Sequence, residues 1–278
     1  MWNPIKAFLN YVEKKKLCKK LKEDGYVKRR VCIVKLGRQR FDKEVSRLSK
    51  INSKLFAVDV VEIDHLDDAD EINKSVLRTV YSKAALLKLI KDKRDSINEA
   101  KPSMPPYDVA IGIIDYSVEG DSYGFCLDDE ESIFYLSLNQ PQKILEDNHL
   151  RIRNFCAIAI YRNYLRNLAQ KRIVHDESRA CLFDKCADGK DIFLSAKNPS
   201  ICKWCRERDL QKQNVDSKIV KMVELEVQPF RKERYHSIRD FIKRNKVLSA
   251  VFAVLGIAAG IGIGLFTSFL YDIMTGCG

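Results

Sequence analysis

Histidine is scarce in this sequence of 278 residues, which contains only His65, His149, His175 and His236. No two of these histidines are close enough to share a helical turn, which excludes a catalytic zinc site built from H-E-x-x-H on one helix. Glycine is also sparse, with 12 residues, and neither a Walker loop nor a Rossmann glycine pattern occurs. The sequence therefore excludes the common nucleotide-binding motifs, whereas 46% apolar residues suffice to bury a core.

The basic character of the chain is confined to two short segments, although the formal net charge is +11. Residues 1–30 carry a net charge of +7 and residues 231–246 carry +5, which leaves the rest of the chain close to neutral. A nucleic-acid-binding domain is expected to carry its basic patch on the folded body. We therefore expect no nucleic-acid partner, and we interpret residues 1–30 as a separate basic, amphipathic N-terminal segment.

The C-terminal region contains an uncharged apolar run over residues 247–271. Its 25 residues exceed the roughly 20 that are needed to cross the hydrocarbon core of a bilayer, so the run predicts one transmembrane helix. The basic segment before it lies within residues 211–246, which we interpret as a basic helical linker. The positive-inside rule then places the bulk of the chain in the cytoplasm and predicts a tail-anchored, single-pass membrane protein.

Three glycines recur at four-residue spacing in this apolar run: Gly256, Gly260 and Gly264. Two overlapping G-x-x-x-G steps place them on one face of a helix, where two helices can approach closely in lipid. Glycine is also simply common in membrane helices. We therefore expect self-association into a homo-oligomer through this face. The alternative is that the three glycines only reflect the usual composition of membrane helices.

The N-terminal segment predicts an amphipathic helix followed by a run of lysines. The apolar residues recur at three- and four-residue spacing and share one helix face; they are Trp2, Ile5, Phe8, Leu9 and Val12. Such a helix could rest on anionic lipid headgroups. The interpretation that we favour from sequence is an ordinary helix packed on the domain, with solvated lysines.

Strands and helices alternate along the middle of the chain. Short runs of β-branched and apolar residues predict strands at 31–36, 55–63, 108–116 and 132–138. Longer periodic segments predict helices at 72–97 and 142–170. Strands separated by helices predict an α/β fold with a mixed sheet that contains parallel pairs.

Four of the nine cysteines form two paired blocks, Cys181/Cys186 in C-x4-C and Cys202/Cys205 in C-x2-C. Disulfides are disfavoured in the cytosol, where such blocks favour a metal. Four thiolates would complete a closed, tetrahedral structural zinc site. His175 could replace one cysteine, and free buried thiols are the alternative.

The order of these motifs resembles that of the archaemetzincins over residues 31–210. The resemblance rests on VCIVKLG, LFAVDVVEI, Tyr81 before a long helix, VAIGIIDYSV with YGF, FYLSL, a helix and C-x4-C…C-x2-C. It implies a metzincin-like mixed sheet with a four-cysteine zinc loop. It also implies H-E-x-x-H-x-x-G-x-x-H on the helix before the cysteines, but Tyr161, Arg162 and Leu165 stand at the positions of the first His, the Glu and the second His.

A different catalytic site is conceivable just before the first cysteine. His175 is a general-base candidate, and Asp176 and Glu177 could orient it or bind a metal. The alternative, which we favour, is that both carboxylates are polar loop residues and that His175 supports the zinc loop.

The leading functional hypothesis is a membrane-anchored, archaemetzincin-like pseudoenzyme that serves as a recognition or effector module for an unidentified protein partner. One rival is a metal-dependent hydrolase or peptidase that uses His175 with Asp176 or Glu177. Another is a defence effector that perturbs the membrane when it oligomerises.

Overall fold

The computed structural model describes residues 4–231, except 38, 64–65, 67–70, 76–77, 122, 129, 140, 178 and 186–188, together with Ala250, Gly260, Ile263 and Gly264. The chain forms two compact units, Met1–Glu233 and Arg234–Gly278. In the second unit, the four described residues are helical. The fold that follows is that of the first unit.

The strands of the first unit form a five-stranded and a three-stranded sheet. They are β1 (Arg29–Leu36), β2 (Phe56–Ile63), β3 (Glu71–Ser75), β4 (Arg78–Tyr81), β5 (Val109–Ile114), β6 (Ser117–Val118), β7 (Gly124–Asp128) and β8 (Ile133–Ser137). The larger sheet has the order β2-β1-β5-β8-β7, and the smaller has the order β3-β4-β6. All pairs in the larger sheet are parallel except β7 with β8. The predicted α/β class with a mixed sheet is thus confirmed.

The helices of the described residues are α1 (Pro4–Glu23), α2 (Asp42–Ser46), α3 (Lys83–Ala100), α4 (Pro141–Asp147), α5 (Ile152–Ala169), α6 (Gly189–Lys197) and α7 (Ser217–Val227). Side chains alternate across β1, so that Val31 and Ile33 join the core layer of α5, while Val34 and Leu36 join that of α3. Both faces of this central strand are therefore buried, which explains its nearly continuous apolar sequence.

Helix α3 approaches the sheet closely at Gly112 of β5. A Cβ atom at this position would clash with the side chain of Ile90 on α3, so a larger residue here would force that side chain to move. The absence of a side chain thus sets the distance between α3 and the sheet.

The helix predicted over 72–97 begins later than expected. Its first part forms β3 and β4, and α3 starts only at Lys83 because the Ser82 side chain accepts hydrogen bonds from the backbone N–H groups of Ala84 and Ala85. This N-cap stops the helix from extending backwards. The β-branched and aromatic residues Thr79, Val80 and Tyr81 lie in the strand that precedes it.

The helix predicted over 142–170 is two helices, α4 and α5. His149, between them, has a φ of 57°, a left-handed conformation that a continuous helix cannot contain. Helix α5 ends at Gln170, which also has a left-handed conformation.

Helix α7 is part of the core of the first unit, although it lies in the range that the sequence predicts as a linker. Met222, Val223 and Val227 are fully buried, and α7 contacts both α1 and α5. The apolar residues of α7 are spaced so that they share one helix face, which explains their burial. The prediction of a linker followed instead the basic segment that comes after them.

No helix of the described residues is long and apolar enough to cross a bilayer. Most of the predicted transmembrane helix over 247–271, including Gly256, lies outside the described residues, as does most of the basic run before it. Gly260 and Gly264 are described and helical. The span and the association of its glycines remain predictions.

The carboxylate of Glu226, on α7, connects several elements of the first unit. It is buried, and its Oε2 accepts hydrogen bonds from Ser53 Oγ at 2.6 Å and from Tyr161 OH at 3.0 Å. Its Oε1 lies 2.9 Å from both the backbone N of Lys54 and Nζ of Lys14. Four donors thus satisfy a charge that is shielded from water.

We expect Glu226→Ala to lower the free energy of unfolding by about 3 kcal/mol, because Lys14 loses a buried counter-charge and two hydroxyls lose their acceptor. Thermal and urea unfolding of the full chain in detergent would measure the change. Glu13→Ala is the matched control: Glu13 and Lys221 are 3.6 Å apart and both 46% exposed, so we expect a loss below about 0.5 kcal/mol. Equal losses in the two variants would contradict the role of Glu226.

Candidate metal centre

Four side chains that can bind a metal converge after α5: His175, Cys181, Cys202 and Cys205. Their ligand atoms all lie within 4.8 Å of one another. Sγ of Cys181 is 3.9 Å from Sγ of Cys205, and Sγ of Cys202 is 3.7 Å from Nε2 of His175. Within the described residues, no second group of three or more such ligands is found.

Backbone hydrogen bonds bring three separate segments of chain to this site. Cys181 pairs with Ser200 in a short parallel bridge, and His175 pairs with Asp184 in another. The N–H of Cys202 points at Sγ of Cys181 at 3.4 Å, and the N–H of Cys205 points at Sγ of Cys202 at the same distance. The turns therefore hold the sulfur atoms in place before any metal binds.

Asp184 orients the imidazole of His175 from behind. Its carboxylate is almost fully buried and lies 3.2 Å from Nδ1 of His175, which is also 2.9 Å from the backbone O of Glu177. Two acceptors at Nδ1 place the proton there, which leaves the lone pair of Nε2 free to face the sulfurs. The same carboxylate accepts a hydrogen bond from the N–H of Cys181 at 2.9 Å, so it joins two ligand-bearing segments.

The geometry fits a zinc ion. With Zn–S bonds of about 2.3 Å and Zn–N bonds of about 2.0 Å, tetrahedral coordination places sulfurs about 3.8 Å apart and sulfur and nitrogen about 3.5 Å apart. The distances of 3.9 Å between Cys181 and Cys205, and of 3.7 Å between Cys202 and His175, are close to these values. Thiolate and imidazole are also the ligands that Zn²⁺ prefers.

The electrostatics of the site favour a thiolate at Cys181. Hydrogen bonds from the side chain of Cys205 and from the backbone N–H of Cys202 lower the pKa of Cys181, although burial opposes them. The thiolate is the form that binds metal. Burial raises the pKa of Cys156, in contrast, to about 12, so that cysteine behaves as an apolar core residue.

Three of the four cysteines that the sequence predicts as ligands lie within the described residues. Cys181, Cys202 and Cys205 lie together, whereas Cys186 lies outside the described residues and its role stays a prediction. His175, the weaker candidate from sequence, lies within the group. Sequence reasoning missed Asp184, although an aspartate between paired cysteines, in C-L-F-D-K-C, is a signal for an orienting carboxylate.

The structure does not assemble the alternative catalytic site of His175, Asp176 and Glu177. The side chain of Asp176 is 84% exposed and pairs with Lys185 at 3.1 Å. The side chain of Glu177 is 74% exposed and pairs with Arg179, while only its backbone O contacts His175. Both carboxylates are therefore solvated loop residues.

Helix α5, on which the resemblance places zinc-binding histidines, consists mostly of core residues. Tyr161 and Leu165 are buried, and the ring of Tyr161 packs on Phe56 and Phe230 while its hydroxyl donates to Glu226. Burial and the Glu226 charge raise the pKa of Tyr161.

Arg162, on the same helix, faces β7, and no ion pair of its guanidinium is found among the described residues. It is only partly exposed, and its buried Nε has no hydrogen-bond partner among the described residues. One guanidinium nitrogen would lie 3.2 Å from a Cβ atom at Gly124. Burial lowers the pKa of Arg162 to about 10. An uncompensated charge of this kind is costly.

Comparisons with known proteins place the chain only loosely. No protein-family model matches it, and no curated protein matches it by sequence. Among solved structures, it is similar to the zinc-dependent peptidase from Methanocorpusculum labreanum (strain Z), with a TM-score of 0.45 and 9% identity, over 64% of this chain and 98% of that chain. At this level of similarity no argument about function rests on the likeness, so the site is interpreted from its own residues.

We expect Asp184→Asn to weaken zinc binding about 10- to 100-fold, because the imidazole of His175 loses the carboxylate that orients it. Competition with a chromophoric chelator on the full chain would measure the affinity. Asp176→Asn removes a neighbouring carboxylate that faces solvent, and it should leave the affinity unchanged. An equal effect of both substitutions would show that net charge, and not orientation, matters.

We expect Arg162→Met to raise the free energy of unfolding by about 1 kcal/mol, because an apolar chain of similar length replaces a desolvated charge. Thermal unfolding in detergent would measure it, with Arg47→Met on the exposed surface as a control that should change little. A loss of stability in Arg162→Met would show that the guanidinium has a favourable partner.

Proposed function

We propose that this chain is a membrane-anchored pseudoenzyme of archaemetzincin-like fold, in which a structural zinc stabilises a recognition or effector module at the cytoplasmic membrane face. The observation that carries the proposal is the interior of α5. Tyr161 and Leu165, at the positions of the absent zinc-binding histidines, are buried in the core. Neither side chain is a ligand that a catalytic zinc would use.

The Cys/His group supports a structural role for zinc. Three thiolates and one imidazole complete tetrahedral coordination and leave no open position for a water or a substrate. The segments that carry them are far apart in sequence, and Asp184 is buried behind His175. A metal bound by these residues would connect the loop that follows α5 to the turn that contains Cys202 and Cys205. A cross-link of this kind stabilises the fold, as a structural zinc does.

The membrane anchor is supported by the sequence of residues 247–271. This uncharged run follows a strongly basic segment, as the positive-inside rule requires for a cytoplasmic body. A body held at a membrane face by one helix needs no catalytic site in order to recruit a protein partner.

The proposal is tested by the metal content and the peptidase activity of the full chain in detergent. We expect one zinc per chain, loss of that zinc in Cys205→Ser and a lowered melting temperature after chelation, because metal binding contributes to folding. Cys18→Ser, which changes a cysteine outside the group, should keep its zinc. His175→Ala and Cys186→Ser, compared in the same assay, identify the fourth ligand.

Other results of the same measurements would contradict the proposal. A second zinc per chain, or peptidase activity on an unfolded protein substrate that disappears in His175→Ala, would favour the hydrolase hypothesis. Activity that persists without zinc would contradict both hypotheses.

A further inference from the structure

Helix α1 presents an apolar stripe to solvent. Ile5, Phe8 and Leu9 are 70%, 64% and 59% exposed. Their spacing of three and four residues places them, with Val12, on one face of the helix. Large apolar side chains exposed as a contiguous row mark an interaction surface, because isolated ones are common but rows are not.

The opposite face of α1 attaches the helix to the body. Asn10 donates to Oε1 of Gln228 at 2.7 Å, and Lys14 pairs with the buried Glu226 at 2.9 Å. Leu17 and Leu21 pack into the core on the same side. These four positions are also spaced by three or four residues, so they form a second stripe. Helix α1 therefore packs on the body, as we favour from sequence, but through this second stripe. The apolar stripe points away from the body.

Lysines continue the outward face beyond the apolar stripe. Lys16 and Lys19 follow Val12 by four and seven residues, which places them on the same line, and both are exposed. Lys15 and Lys20, beside them, are exposed as well. One face of a single helix thus carries apolar residues at its N-terminal end and a net positive charge at its C-terminal end, although Lys19 lies 3.7 Å from the carboxylate of Glu23.

We infer that this outward face of α1 docks on an anionic lipid surface, with Ile5, Phe8 and Leu9 inserted between headgroups and the lysines in contact with lipid phosphates and carboxylates. A basic amphipathic helix binds a bilayer through both contributions together, because neither suffices alone. The body would then touch the membrane at a fixed face of α1.

The charge on this face disfavours the other occupants. A second copy of the chain would bring the same lysines towards each other, which is repulsive in a symmetric pair. The apolar residues 247–271 of the same chain have no acidic groups to complement the lysines. An acidic protein partner would also satisfy the lysines, but it predicts no quenching by brominated anionic lipid.

Tryptophan fluorescence tests the inference, since the chain has only Trp2 and Trp204. The full chain carrying Trp204→Phe would be reconstituted into vesicles of phosphatidylcholine, with or without phosphatidylserine, whose acyl chains carry bromine. We expect bromine to quench Trp2, three residues before Ile5, in the anionic vesicles. The quenching should fall in neutral vesicles and as salt is raised.

Two double variants separate the contributions of the face. Phe8→Ser/Leu9→Ser should abolish the quenching, and Lys16→Gln/Lys19→Gln should abolish its dependence on anionic lipid. Val27→Ser/Met104→Ser removes two exposed apolar side chains elsewhere and should have no effect. Zinc content and melting temperature confirm that each variant is folded, because the outward face makes no contact that holds the body together.

Absence of quenching in anionic vesicles, or equal quenching in all variants, would overturn the inference. A change in oligomeric state on Phe8→Ser/Leu9→Ser without any change in quenching would assign the face to a second copy. Flotation of the full chain with vesicles reports the span over 247–271 separately, so failure of the anchor and failure of α1 docking are distinguishable.

Discussion

The carboxylate of Glu226 is the interaction on which most of the fold around α5 depends. It lies on α7 and receives donors from α1, from the turn before β2 and from α5. A buried charge is stable only when its surroundings satisfy it, so each of these elements must occupy its place. The same contact fixes the rotation of α1, because Lys14 must point inward. The outward direction of the apolar stripe on α1 thus follows from this ion pair together with the inward contacts of Asn10, Leu17 and Leu21.

This constraint also determines what α5 can do. The side chain at position 161 of α5 lies in the packed core. Here the hydroxyl of Tyr161 completes the shell around Glu226, and its ring packs on Phe56 and Phe230. The space is closed by α7 and by the segment after it. Position 161 therefore serves packing, whereas the group of possible metal ligands among the described residues is the Cys/His group.

Much of the architecture could be predicted from the sequence, and the failures have physical causes. The central strands β1, β5 and β8 are apolar on both faces, so they were found within one or two residues of their observed ends. Strands β3 and β4 were missed because their residues also fit a helical period, and only the Ser82 cap separates them from α3. The convergence of Cys181, Cys202 and Cys205 follows from paired spacing. Asp184 was missed although it lies between paired cysteines, whereas Glu226 could not be predicted, because its partners Ser53, Tyr161 and Lys14 are distant in sequence.

The contact between Tyr161 and Glu226 restricts which residues α5 can carry at position 161. Replacing Tyr161 by a histidine would remove a hydroxyl donor from a buried carboxylate and leave a gap beside Phe56 and Phe230. Arg162, whose buried Nε has no hydrogen-bond partner among the described residues, would still follow position 161 on the same helix. A metal site built on α5 of this chain would therefore require several simultaneous changes. Because Tyr161 and Glu226 share a contact, the effects of replacing them are not expected to add independently.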